Sequence, residues 1–173
     1  WFREWWAAEG VEIVTKSDNP GIDIFIKANS KNERVFIPVI VTKSGLKDVV
    51  YNSFHIGENA RVEIIAGCGI HNDSYENSQH DGIHEFFLEK GSRVTYIEKH
   101  YGEGEGTGER VLNPMTKVKQ SEGSFCQMNL IQLKGVTHTN RNTIAELGKD
   151  SKLIVNEKLL THGDQFAKSD MEI

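Results

Sequence analysis

Asn59-Ala60-Arg61-Val62-Glu63-Ile64 is the stretch that decides the fold, because the chain repeats its pattern. Related hexapeptides are Asn32-Glu33-Arg34-Val35-Phe36-Ile37, Gly91-Ser92-Arg93-Val94-Thr95-Tyr96, Gly123-Ser124-Phe125-Cys126-Gln127-Met128 and Asp150-Ser151-Lys152-Leu153-Ile154-Val155. Their second residues fall at 33, 60, 92, 124 and 151, so the spacings are 27, 32, 32 and 27. The first position is always Asn, Gly or Asp, the residues that accept a left-handed turn conformation. The fourth and sixth positions are apolar in every copy, the period-2 signature of a half-buried strand. The third is basic in four of the five copies, as a solvent-facing position should be. One turn and one strand in roughly 30 residues cannot bury their own apolar face, whereas stacked copies can. The repeat therefore predicts a β-solenoid, an all-β parallel β-helix with a single stacked strand per repeat. A jelly roll or cupin-like sandwich is the rival, since irregular strands at this density suit it as well.

Composition agrees. The 173 residues contain 29 Val plus Ile against 16 Leu plus Ala, and branched side chains favour a pleated surface over a helix. Only Trp1 to Glu9 reads as helical. The 16 glycines fall mostly between short apolar runs, as turns require. Gly102-Glu103-Gly104-Glu105-Gly106-Thr107-Gly108 lacks the Gly-Lys-Ser/Thr ending of a phosphate loop and is expected to be a solvated acidic connector. A net charge of −5 argues against a nucleic-acid surface, which needs clustered Lys and Arg. No apolar run approaches a membrane span, and two cysteines make no disulfide framework, so a reducing, cytoplasmic setting is expected. The chain begins Trp1-Phe2-Arg3 without Met and ends Met171-Glu172-Ile173, which predicts a segment of a longer protein.

Several side chains could carry chemistry. Cys126 takes the fourth position of its copy, where the others have Val or Leu, and reads as a core filler. Cys68 lies between Gly67 and Gly69 at the end of Val62-Glu63-Ile64-Ile65-Ala66, and the alternation turns it inward. His71, His80 and His84 follow, in a stretch that reads as a loop entering a strand. Imidazole and thiolate suit iron, zinc or copper, although loop histidines are more often ordinary surface residues. Glu98 and His100 continue the phase of Val94 and Tyr96, and Glu157 that of Leu153 and Val155. Either the strands stop before them or a polar path runs through the interior, where buried polar groups must be paired or wetted.

Ile64-Ile65-Ala66-Gly67-Cys68, then His80, Ile83-His84-Glu85-Phe86 and Gly91-Ser92-Arg93-Val94-Thr95-Tyr96 together resemble the core of the SufB/SufD family. The likeness runs from about Tyr51 to the C-terminus, where Leu159-Leu160-Thr161-His162-Gly163-Asp164 and Ser169-Asp170-Met171-Glu172 resemble short members of the family. The resemblance implies a right-handed parallel β-helix serving as a scaffold for iron–sulfur cluster assembly. Its partners would be a SufC-like ABC-type ATPase, a SufB- or SufD-type subunit, and a cysteine desulfurase with its sulfur carrier; its cargo would be a nascent iron–sulfur cluster. It also implies that Cys68 accepts sulfur as a persulfide and that His80, Glu85 and His100 lie on the path inward. No tightly bound cofactor and no enzymatic activity of its own are expected. The later Cys-containing segment and helical ATPase-docking tail of SufB-type proteins have no counterpart here. Outside the resemblance, two alternatives stand: a cupin-like metal protein using His71, His80 and His84, and a carbohydrate-active β-helix enzyme.

Overall fold

The structure, a computed structural model, describes residues 9–173. The helical stretch expected at Trp1 to Glu9 lies, but for its last residue, outside the described residues. From there on the chain is all strand: β1 (Val11–Thr15), β2 (Gly21–Ile26), β3 (Glu33–Val41), β4 (Lys47–Ile56), β5 (Arg61–His71), β6 (Ser78–Leu88) and β7 (Arg93–Glu103). They are followed by β8 (Arg110–Leu112), β9 (Met115–Gln120), β10 (Phe125–Gln132), β11 (His138–Leu147), β12 (Lys152–Leu159) and β13 (Phe166–Glu172). β1 folds back antiparallel on β2, and every other pairing is parallel. The parallel strands form two sheets, β2-β4-β6-β8/β9-β11-β13 and β3-β5-β7-β10-β12, which the chain visits alternately. The result is a parallel β-solenoid of about five turns.

Each coil thus holds two strands, not the one that the hexapeptide repeat announces. Most of the strands so missed carry polar residues on part of their inner face, whereas β2 presents Ile22, Ile24 and Ile26 there. In β6 the inward side chains begin Ser78, His80, Gly82 and His84, while Ile83 points outward, so the sequence shows no apolar period there. The same concealment hides the strand that carries His80 and His84, which the sequence reads as a loop. β8 and β9 are separated at Asn113-Pro114, where proline offers no N–H to the ladder.

The two sheets are joined on one side by short turns built on left-handed residues. Asn29, Asn59, Gly91, Gly123 and Asp150 have φ of 62°, 56°, 65°, 66° and 55°. Backbone bonds from Asn29 N–H to Glu58, Asn59 N–H to Lys90, Gly91 N–H to Glu122 and Gly123 N–H to Lys149 stack them in a column. This corrects the first copy of the repeat. Asn29, not Asn32, is the equivalent of Asn59, so the first spacing is 30 (59 minus 29). Asn32 is also left-handed, with φ 63°, and the extra residue it accommodates sets Val35 beside Ile64 instead of Val62. Ser92, Ser124 and Ser151 follow the left-handed residue, each donating its hydroxyl to the carbonyl three residues earlier.

Gly123 isolates the backbone requirement, because a Cβ added there meets nothing within 4 Å. Gly123→Ala is expected to cost about 1 kcal/mol, and Gly123→Asn only a fraction of that, by urea denaturation. Equal losses for both would mean that the left-handed conformation is not what selects glycine.

The apolar core fills the half of the interior nearest these turns. Phe54, Phe86, Leu88, Ile64, Met128 and Cys126 are fully buried there, Phe54 and Phe86 stacked at 4.4 Å. A second small cluster, Val41, Cys68, Ile70, Leu112 and Val136, closes the opposite half. The Gly102–Gly108 segment is less free than its composition suggests. Gly106 N–H and Gly108 N–H donate to Asn72 and Ser74 carbonyls, so this loop stacks on the equivalent loop of the preceding coil.

Candidate functional site

Between the two apolar clusters lies a polar interior. β7 runs unbroken to Glu103, so Glu98 and His100 both point inward and are 1% exposed. In the parallel ladder the inward column of His100 reads Cys68, His100, Gln132, and the neighbouring column reads Ala66, Glu98, Leu130, Glu157. Arg141 reaches across from β11 in the facing sheet and is itself only 1% exposed. Its Nη1 lies 2.8 Å from Glu98 Oε2 and its Nε 3.0 Å from Glu157 Oε1, spanning the two carboxylates on either side of Leu130. Both contacts are close but poorly aligned as hydrogen bonds, so charge rather than bond direction holds the guanidinium. Nη2, which can only donate, faces His100 Nδ1 at 3.4 Å and makes that nitrogen the acceptor.

A hydrogen-bonded chain extends from the same carboxylate. Tyr96 donates its hydroxyl to Glu98 Oε1 at 2.9 Å, and His84 Nδ1 lies 2.7 Å from the same hydroxyl oxygen. Since the phenolic proton is committed to Glu98, His84 Nδ1 is the donor, and its Nε2 faces the Asn52 amide at 3.4 Å. Burial pulls the His84 pKa down to about 4. Burial also opposes ionisation of Glu98, but His100 and Arg141 outweigh it and hold its carboxyl well below the usual range. The Tyr96 phenol is pushed well up by burial and by Glu98. The interior therefore carries fixed charge, sustained by mutual pairing.

The four residues singled out by the sequence do not converge. Cys68 and His100 are ladder neighbours. His80 is inward and 2% exposed, with Nδ1 2.9 Å from Asp48 and Nε2 buried without a partner. Glu85 is outward, in an ion pair with Lys117 at 3.0 Å, and lines no interior path. Cys68 is 4% exposed, among Val41, Ile70, Leu112 and Val136, and the space over Gly69 is taken by the Tyr101 ring. Burial first, then the charge of Glu98, pushes its thiol far above the ordinary range, so the resting group is a thiol. Burial likewise pushes Cys126 up to about 12.

His71 is outward beside Asp73 at 2.7 Å, apart from the inward His80 and His84, so the three histidines of the cupin-like alternative share no site. Among the described residues no group of three or more His, Cys, Asp or Glu is placed to hold a metal. Arg141 is the residue that sequence reading missed. It sits in a strand that shows no apolar period, and only its parity with Thr139 and Thr143 marked it as inward.

No protein-family model, no curated protein and no solved structure matches this chain.

Proposed function

We propose that the chain is a β-helical scaffold of the SufB/SufD type for iron–sulfur cluster assembly, in which Cys68 accepts sulfur from a protein persulfide. The observation that carries this reading is the position of Cys68. It shares a ladder column with His100, where the second apolar cluster meets the buried Glu98–Arg141–Glu157 cluster, so sulfur on Cys68 lies at the edge of the charged interior and is sheltered from oxidants. In the transfer, the Cys68 thiolate attacks the outer sulfur of the donor's Cys–S–SH. The donor's S–S bond breaks, the donor leaves as a thiolate, and Cys68 becomes the persulfide; the proton lost by Cys68 ends on the departing thiolate. Because the resting thiol is buried and protonated, acceptance requires the loops beside Ile70 and Val136 to open. An ABC-type ATPase and a second scaffold subunit are the partners of this reading, the cluster is its cargo, and a reducing compartment is its setting. The scaffold itself catalyses no turnover.

The test is peptide mass spectrometry after incubation with a cysteine desulfurase, its sulfur carrier and cysteine. The expected result is a mass increase of about 32 Da, one sulfur atom, on Cys68 and none on Cys126. Cys68→Ser should remove the adduct and leave the fold unchanged by circular dichroism. Equal labelling of both cysteines, or labelling of neither, would reject Cys68 as the acceptor.

A further inference from the structure

The outer face of the β3-β5-β7-β10-β12 sheet carries a second feature, remote in chemistry from the thiol. Arg61 and Arg93 occupy paired positions on adjacent parallel strands, both exposed. Strand spacing sets their backbones about 4.8 Å apart, and like charges directly opposite destabilise a sheet. Nothing within the described residues relieves them, for neither guanidinium lies within ion-pair distance of a carboxylate. The nearby Glu63 is engaged at 2.7 Å by Arg34, and Glu33 turns toward Gly10. Arg93 is further held by the ring of Phe125, 5.6 Å from its centroid, with Lys152 next in the same outward column. An open groove of about 460 Å³ lies along these residues. Glu33 and Glu63 also line the groove, but with Glu63 paired to Arg34 and Glu33 turned toward Gly10, Arg61 and Arg93 remain its cations without an ion-pair partner, in a chain of net charge −5.

We infer that this groove binds an acidic polypeptide segment of a partner protein, with Arg61 and Arg93 receiving its carboxylates. The groove is shallow and crosses four strands, which suits an extended chain better than a small enclosed anion. Guanidinium groups pair with carboxylates through two parallel N–H bonds, so two neighbouring arginines can read two acidic side chains. The unrelieved repulsion between them in the free protein is what the partner would discharge.

Fluorescence polarisation with a labelled hexaglutamate peptide at physiological salt tests this. Wild-type protein should bind, the double variant R61A/R93A should bind at least about tenfold more weakly, and Lys47→Ala, which removes a distant charge, should stay within about twofold. Arg61→Ala alone should melt no lower than wild type in the absence of peptide. Absence of wild-type binding, or equal binding by the double variant, would overturn the inference. So would a fall in melting temperature of more than about 3 °C for Arg61→Ala, which would make that arginine structural. Displacement of the peptide by millimolar inorganic phosphate would also overturn it, since the site would then be one for small oxyanions.

Discussion

Replacing Arg141 by Met is expected to destabilise the protein by about 3–5 kcal/mol, the cost of stranding a buried charge whose partner is removed. Arg141 is the only Lys or Arg in ion-pair contact with Glu98 among the described residues; His84 and His100 each lie 3.5 Å from Oε1, but His84 is neutral at pH 7. Without the guanidinium, the carboxylate must either remain charged in a dry interior or take up a proton. Glu157, which is 20% exposed, can turn toward water and contributes less to the loss. Because Met has similar length and no charge, it fills much of the same space, and the deficit reports the electrostatics. Adding Glu98→Gln to Arg141→Met should recover a substantial part of it, which a double-mutant cycle by urea denaturation would read as coupling. A loss below about 1 kcal/mol for the single variant would mean that the cluster is wetted and its pairing weak.

The second large effect is acid lability. His84 has an ordinary pKa of 6.5 and a folded value of about 4, the shift being caused first by burial. Above pH 6.5 both folded and unfolded forms hold it neutral, and it contributes no pH dependence. As the pH falls from 6.5 toward 4, the unfolded chain binds a proton that the folded one refuses, so stability is lost across that window. The loss amounts to about 3 kcal/mol by pH 4. Glu98 adds to it lower down. Its folded pKa is depressed, so its stabilising contribution is complete above the usual carboxylate range and disappears as the pH falls through the folded value. Urea midpoints measured from pH 7 to pH 4 should therefore fall steeply in wild type and much less in His84→Gln. Identical pH profiles would show that His84 is not the group that titrates.

These two predictions rest on residues whose roles differ in how far the sequence revealed them. The parity of Glu98 with Val94 and Tyr96 was visible, but whether the strand continued that far was not. A strand ends where its hydrogen-bonding partner ends, and the partners Ala66 and Leu130 lie 32 residues away on either side. Nothing local can decide it. Arg141 is a harder case, because a lone Arg among Asn and Thr residues reads as a solvated surface strand. It is buried only because two carboxylates of the facing sheet arrive opposite it.

The sequence by itself determined the parallel stacking, the left-handed corner at four of its five copies, the inward direction of Cys68 and the filler role of Cys126. These depend on short-range rules, namely side-chain alternation and the steric freedom of Gly, Asn and Asp, which act within a few residues. Tertiary structure alone decided the register of the first coil, the second strand in every coil, the outward placement of Glu85 and the pairing of Arg141 with Glu98 and Glu157. Those depend on which strand lies next to which, about 4.8 Å away in space but a full coil away along the chain. The burial of charge follows from the same cause, since a charged side chain is sustained in this core only where another coil brings its counter-charge to it.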